Sequence, residues 1–417
     1  MADDFGKKSQ YEYLYDALAN KYPGLVSAGD GAYVFQFSQG PQGASWITGT
    51  DANAYGIANA VPVDLGGFYV PGDSLDNSYS TLIKSIKPKD GQDNPAYKKK
   101  LIQVSDLSSQ EITLRDAATK DYYSWAANNT KSDGTPAKSF DEWLTYAFGG
   151  SSWGVKMNEL ASQIDELNSE MSAILKTMDA GLSDALSNLG TDTMPISRGG
   201  KAIQVPAVTI LGDLASDKSR WDGYGTDEFD FDITINKDAV IKYPWKTVYE
   251  TTVKHDCFET SVETHVNTSR IIADVNYNLR FTAKGLQGYQ VSRGKWYYPA
   301  YVNPNVQLVD GIVGLTNDSF FGVNGSLHLI PETILVMYRP TIKLTVSEQT
   351  YKQQFAANAD AGLDWVDFFS FRFKFDTIAS LQPVDNGDGT TTITFSSPEN
   401  ASPQIIGVTS KVVYNEN

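Results

Sequence analysis

Two periods of hydrophobic residues divide this chain. Between Asn94 and Leu189 the apolar residues recur every three or four positions; after Gly190 they recur every second one. The first spacing places side chains on one face of a helix, the second on one face of a strand. Asn94-Pro95 predicts a helix start, with asparagine as cap and proline at the first helical position. Tyr97, Leu101, Val104, Leu114, Ala118, Tyr122 and Trp125 then carry the helix to the polar stretch Asn128–Lys138. A shorter helix is predicted over Phe140–Phe148. Leu160, Ile164, Leu167, Met171, Ile174 and Met178 alternate four and three apart, the seam of a coiled coil or bundle. They predict one helix over Val155–Leu189, on the order of 50 Å long. One stripe of that length needs a cover, and the 95–128 helix is its natural antiparallel partner.

The later segments read as strands. Phe229, Phe231, Ile233 and Ile235 alternate with polar residues, as do Ile271, Ala273, Val275, Tyr277, Leu279 and Phe281. Ile342, Leu344 and Val346 repeat the pattern, followed by Phe371, Phe373 and Phe375 and by Thr390–Phe395. One apolar and one wet face per strand predict antiparallel sheet packed on one side. Before Asn94 the pattern is mixed. Leu14 and Leu18 mark a short helix over 10–20 closed by Pro23-Gly24, Tyr33–Phe37 reads as a strand, and Gly40–Gly67 as irregular loop with short strands. The expected fold class is α+β, a helical hairpin or bundle followed by a largely antiparallel, β-sandwich-like domain. The expected divisions are 1–92, 93–190 and 191–417.

Composition narrows the chemistry. The 417 residues are 41% hydrophobic and 20% charged, the range of chains that bury a core. Fifty acidic against 34 basic residues give a formal charge of −16. That balance repels phosphate backbones and anionic membranes, so nucleic acid is not an expected partner. Lys98-Lys99-Lys100 reads as a solvated helix face. The single cysteine, Cys257, allows no internal disulfide. Acidic Asp3 and Asp4 precede no apolar run, which predicts no secretory leader and a cytoplasmic protein, released by lysis or dedicated export if at all. No stretch approaches the ~20 apolar residues that span a bilayer.

Several motifs suggest catalysis without completing it. Gly150-Ser151-Ser152-Trp153-Gly154 matches Gly-x-Ser-x-Gly, whose serine is exposed only on a strand-to-helix turn above a parallel sheet. Here helices flank it, and a helix-to-helix joint with Ser152 near a cap is expected. Gly72-Asp73-Ser74-Leu75 resembles the first signature of GDSL-type esterases over these four residues. That family's base lies in an Asp-x-x-His pair, and none of His255, His265 or His328 follows an aspartate by three. His255 and Cys257 share a face if extended, without a third group to orient them. Asp385-Asn386-Gly387-Asp388-Gly389 reads as a hairpin turn, since Gly387 and Gly389 stand where a calcium loop needs oxygen. Asp222, Asp227, Glu228, Asp230 and Asp232 read as a solvated sheet edge, with a hard cation as the rival account. No catalytic residue, metal ligand or cofactor is assigned.

The 23 tyrosines, 19 phenylalanines and 8 tryptophans belong mostly to a core. Trp296, Tyr297, Tyr298 and Tyr301, in a short proline-broken segment, divide between core corner and contact surface; as tyrosine and tryptophan favour interfaces, they are the candidate contact surface. The expected function is a non-catalytic, self-associating assembly or scaffold subunit, a homo-oligomer. The alternative is a pore-forming or membrane-damaging toxin made as a soluble precursor, with the hairpin as inserting element and Thr247–Thr268 as barrel strands. Sugar binding on aromatic platforms and an enzyme built on carboxylates alone are further classes.

Overall fold

The computed structural model describes residues 10–22, 33–44, 46, 52–65, 68–88, 94–130, 137–138, 140–198, 201–242, 271–312, 314–356 and 382–413. The Phe371–Phe375 strand, His255, Cys257, His265, Thr247–Thr268 and the Pro23-Gly24 stop lie outside the described residues. The class is α+β, and the sheet is mostly antiparallel. The chain forms two compact units: Met1–Ser74, Val208–Ser292 and His328–Tyr414 make the first; Leu75–Ala207, Arg293–Leu327 and Asn415–Asn417 the second. Both sequence-drawn divisions, after 92 and after 190, fall within the second unit.

The first unit is one branched sheet of ten strands. Its spine is β9 (Leu329–Ser347), whose 19 residues are long enough to pair with three neighbours. Along one edge lies β8 (Asn278–Arg293), which in turn pairs β6 (Val208–Leu211) and β7 (Phe231–Asn236). The other edge is shared. The first half of β9 pairs β12 (Gln404–Val412) and the second half pairs β11 (Thr390–Ser396). Beyond β11 lies β10 (Gln382–Asp385); beyond β12 lie β1 (Tyr33–Gly43), β3 (Phe68–Ser74) and β2 (Ala60–Leu65). The β1–β3 pairing is parallel. The loop expected over Gly40–Gly67 also holds a helix, α2 (Ala52–Ala58), whose Ala54, Tyr55, Ile57 and Ala58 are buried; seven residues are too few for a periodic signal.

One large core cluster of this unit lies against a single sheet face. Leu14, Tyr15 and Leu18 of α1 (Gln10–Lys21) cover it together with Phe355, against Phe35, Phe281, Leu279, Leu344, Val346 and Phe395. Strands β8 and β9 change face together. Leu279, Phe281 and Ala283 point into this core, but so does Leu286; Ile342 and Leu344 do, but so does Met337. Strict alternation forbids that. The reversal falls between the Ala283–Pro340 and Gly285–Tyr338 rungs, where Arg339 has φ 47°. Ile334 to Tyr338 are buried on both faces, while beyond the reversal Lys343 is exposed and the opposite face carries the core.

The strand expected from Ile271 starts only at Asn278. Asp274 ends a turn instead: its carbonyl accepts Tyr277 N and its carboxylate accepts Asn276 N, Ser347 N and Ser347 Oγ. Ile271 and Tyr277 still reach the core, whereas Val275 is 76% exposed.

The second unit is built on helices. Asn94 caps α4 (Pro95–Ala127) through Oδ1, which accepts Ala96 N and Tyr97 N at 3.0 and 3.1 Å, as Asn94-Pro95 predicts. The helix expected over Val155–Leu189 is two helices, α6 (Ser151–Met178) and α7 (Ala180–Thr191). Asp179 divides them: its backbone is extended and its carboxylate accepts Gly181 N and Leu182 N, an N-cap within the seam. α4 and α6 pack antiparallel, with Lys100 paired to Glu170 near one end and Trp153 Nε1 donating to Asp121 near the other. At the base α3 (Leu75–Ser85) meets α7, and Tyr97 Oη donates to the Lys84 carbonyl at 2.7 Å. Here Tyr97, Leu101, Val104, Met171 and Leu175 are buried. At the far end α5 (Phe140–Leu144) covers Ala118, Tyr122 and Ala126. Between these ends the seam is half open: Leu107, Leu114, Leu160, Ile164 and Leu167 are only partly buried.

Candidate interaction surface at the end of the helical hairpin

The far end of the α4–α6 hairpin gathers eight aromatic side chains. Tyr122 is their hub, with ring centroids 5.4 Å from Phe140, 5.7 Å from Trp143 and 6.3 Å from Trp125. Trp125 meets Tyr146, and Tyr146 meets Phe148 at 5.8 Å. Trp143 is buried at the centre. The turn after α5 wraps around it: a β-carbon on Gly149 would stand 2.7 Å from Trp143 Cδ1, and one on Gly150 would overlap the indole. A β-carbon on Gly154 would overlap the Leu144 carbonyl oxygen. The glycines of the Gly-x-Ser-x-Gly match are therefore packing residues. Ser152 stands exposed in the first turn of α6, in the expected helix-to-helix joint.

Cationic and exposed apolar side chains share this end with the exposed polar residues Asn128, Asn129 and Thr130, which follow α4. Lys138 Nζ lies 4.8 Å from the Tyr146 centroid, Lys156 Nζ 5.3 Å from Trp153, and the Arg115 guanidinium 5.9 Å from Phe140. Phe148 is 85% exposed, Tyr123 68% and Val155 56%. Large apolar side chains in such a cluster mark contact surfaces. The periodicity puts Tyr122 and Trp125 on one helix and Phe140–Phe148 on another, which ends at Leu144 instead, and it does not bring the two sets of rings together. The available signal was density, since Tyr122, Tyr123, Trp125, Phe140, Trp143, Tyr146, Phe148 and Trp153 flank a Gly-Gly turn. Farther down, α4 and α6 leave a groove of about 560 Å³, floored by Leu114, Ala117 and Leu160 and edged by Thr113, Gln163, Lys156 and Glu159.

Trp296, Tyr297, Tyr298 and Tyr301 take different positions. Trp296 is fully buried and donates its indole N–H to the Ala207 carbonyl at 2.7 Å, so its ring belongs to the interior of the second unit and is withdrawn from the contact surface. It meets Tyr79 edge-on at 5.6 Å. Tyr297 is half-buried under the Arg293 guanidinium. Tyr298 is exposed, and Tyr301 is half-buried with its hydroxyl against Gly181.

Three members of the acidic stretch, Asp222, Asp230 and Asp232, are engaged by neighbouring side chains. Asp230 accepts Trp221 Nε1 at 2.6 Å and Tyr224 Oη at 2.8 Å; Arg280 grips Asp232 with Nε and Nη2. Asp222 accepts Lys218 Nζ and Tyr338 Oη, and these bonds outweigh the opposing effect of burial to hold its carboxyl below the usual range. No group of three or more histidine, cysteine or acidic side chains placed to hold a metal ion occurs among the described residues. Gly72 lies on β3, where a β-carbon would stand 2.7 Å from the Val61 carbonyl oxygen, and Ser74 Oγ accepts Asn59 Nδ2 at 3.4 Å. The Gly387 and Gly389 turn, with φ 74° and 82°, joins β10 to β11 as a hairpin. Among the described residues no helix is long and apolar enough to cross a membrane. Compared with models of known families, with curated proteins and with solved structures, the chain has no match in any of the three.

Proposed function

We propose that the protein is a non-catalytic assembly or scaffold subunit that associates with copies of itself through the flank of the α4–α6 hairpin. One observation carries this reading. Among the described residues, the hairpin has a third layer of side chains at its base and at its far end and none between, where the half-buried seam opens as a groove. Two-helix hairpins cover such a seam by joining into four-helix arrangements. The rim suits self-pairing, because Lys156 and Glu159 lie one turn apart on α6; an antiparallel copy sets each against its opposite charge. Acidic groups engaged by neighbouring tyrosines, lysines and arginines further support a role other than catalysis.

Light scattering at two concentrations tests this. The expected result is a mass above the 45.7 kDa of one chain that falls to the single-chain value in Thr113→Arg/Gln163→Arg, both at exposed groove positions. A 45.7 kDa species at every concentration sinks the reading. A membrane-active protein is a second reading, favoured by the exposed aromatic end of the hairpin.

A further inference from the structure

We infer that the aromatic end of the hairpin docks on a zwitterionic lipid–water interface, with Phe148 and Tyr123 entering the lipid and Lys138, Lys156 and Arg115 at headgroup level. The inference concerns docking alone. It rests on the second reading and shares only Lys156 with the groove proposed for self-association.

The residue types match that environment. Tryptophan and tyrosine collect where bilayer meets water, because each ring has an apolar body and one polar atom. Phe148 is 85% exposed beside the Gly149-Gly150 turn, at the outer edge of the ring cluster through its contact with Tyr146. Three cationic groups lie over rings at the rim, 4.8 to 5.9 Å from their centroids, placing positive charge beside apolar surface. Lysine and arginine stems lie along apolar surface with the charge toward phosphate.

Size and charge decide between occupants. A stable protein interface buries about 800 Å² on each partner, some 20–30 residues. Among the described residues, this end offers three large apolar side chains more than half exposed: Tyr123, Phe148 and Val155. That is too little for a second copy, whereas a lipid surface imposes no complementary shape and each inserted ring adds its own burial. Asp121 accepts the Trp153 indole N–H at this end, and the chain carries a formal charge of −16. Anionic headgroups are therefore disfavoured and phosphatidylcholine is preferred.

The test is flotation of the full-length protein with phosphatidylcholine vesicles. Wild type is expected in the lipid fraction, and Phe148→Ser/Tyr123→Ser is expected to lose binding about tenfold or more. Ile112→Ser, on the exposed side of α4, is the control expected to bind as wild type. Quenching of tryptophan emission by brominated lipid needs no variant and is expected in the unmodified protein. Absence of flotation, equal binding by the double variant, absence of quenching, or binding only with anionic lipid each overturns the inference. Light scattering of the double variant without lipid separates the two sites: an unchanged mass supports lipid docking, and loss of association makes this end a copy-to-copy contact and overturns it.

Discussion

The indole of Trp221 lies against Gly285, so close that a β-carbon on Gly285 would overlap the ring. Trp221, on α8 (Leu214–Asp222), stacks on Tyr338 at 5.7 Å and 21°, and Tyr338 is the cross-strand partner of Gly285. The two therefore meet at the rung where β8 and β9 change face. Gly285→Ala should destabilise the protein by about 1–3 kcal/mol through overpacking. Trp221→Ala should cost about 3–5 kcal/mol by leaving a cavity. Urea denaturation followed by circular dichroism measures both, and a neutral Gly285→Ala would mean that the ring has room to move.

The acidic stretch predicts indifference to divalent cations. Asp230 has donors from Trp221 and Tyr224, and Asp232 holds Arg280. Calcium or magnesium at millimolar concentration should leave the Tm unchanged. Asp230→Ala should cost about 1–3 kcal/mol because a partly buried indole N–H loses its acceptor. A cation-dependent rise in Tm that disappears in that variant would contradict this account.

Lys84 gives stability an alkaline dependence. It is 5% exposed, and burial lowers its pKa from the ordinary 10.5 to about 8, with Asp165 opposing. The folded state thus binds its proton less tightly than the unfolded chain. Below pH 8 the group is charged in both states and its full penalty applies; from 8 to 10.5 stability rises as the folded state sheds the proton. Lys84→Met, which keeps the apolar stem, should add on the order of 2–3 kcal/mol at neutral pH and flatten that rise. Thermal melts across the window decide it.

Asp274 acts at the acidic end. Burial raises its pKa, but hydrogen bonds from Ser347 and Thr350 prevail and hold the carboxyl below the usual range. A depressed carboxyl contributes fully above its unfolded value and loses that contribution as pH falls through its folded value. Asp274→Asn should cost about 1–2 kcal/mol at neutral pH, with the difference from wild type shrinking below pH ~4. A difference independent of pH would show that the turn geometry matters and the charge does not.

Gly150→Ala tests how the aromatic end is held. The added methyl meets the Trp143 indole and should cost about 1–3 kcal/mol, with a changed near-ultraviolet dichroism signal from the ring cluster. An unaltered spectrum would show that the turn yields and the glycine is dispensable.

What the sequence determined by itself is the local order. Asn94-Pro95 started α4, the three- and four-residue spacing gave an antiparallel hairpin, and Ile342, Leu344 and Val346 gave a strand with one buried face. Each is a relation among neighbours whose period reports which side chains face together. Tertiary structure decided what periods cannot carry. Asp179 fits a helix pattern, yet its carboxylate caps a new helix that turns back along α6. Leu279 and Leu286 lie on one core face although they stand seven positions apart, an odd offset, because β8 and β9 reverse together across paired rungs. Trp296, which its proline-broken segment leaves between core corner and contact surface, is buried with its N–H donated to the Ala207 carbonyl, far away in sequence. The aromatic end of the hairpin was written in the sequence as density alone. Which rings are interior and which meet the surroundings follows from the close approach of α5 to α6 at Gly149, Gly150 and Gly154, a packing of non-neighbours that no local spacing encodes.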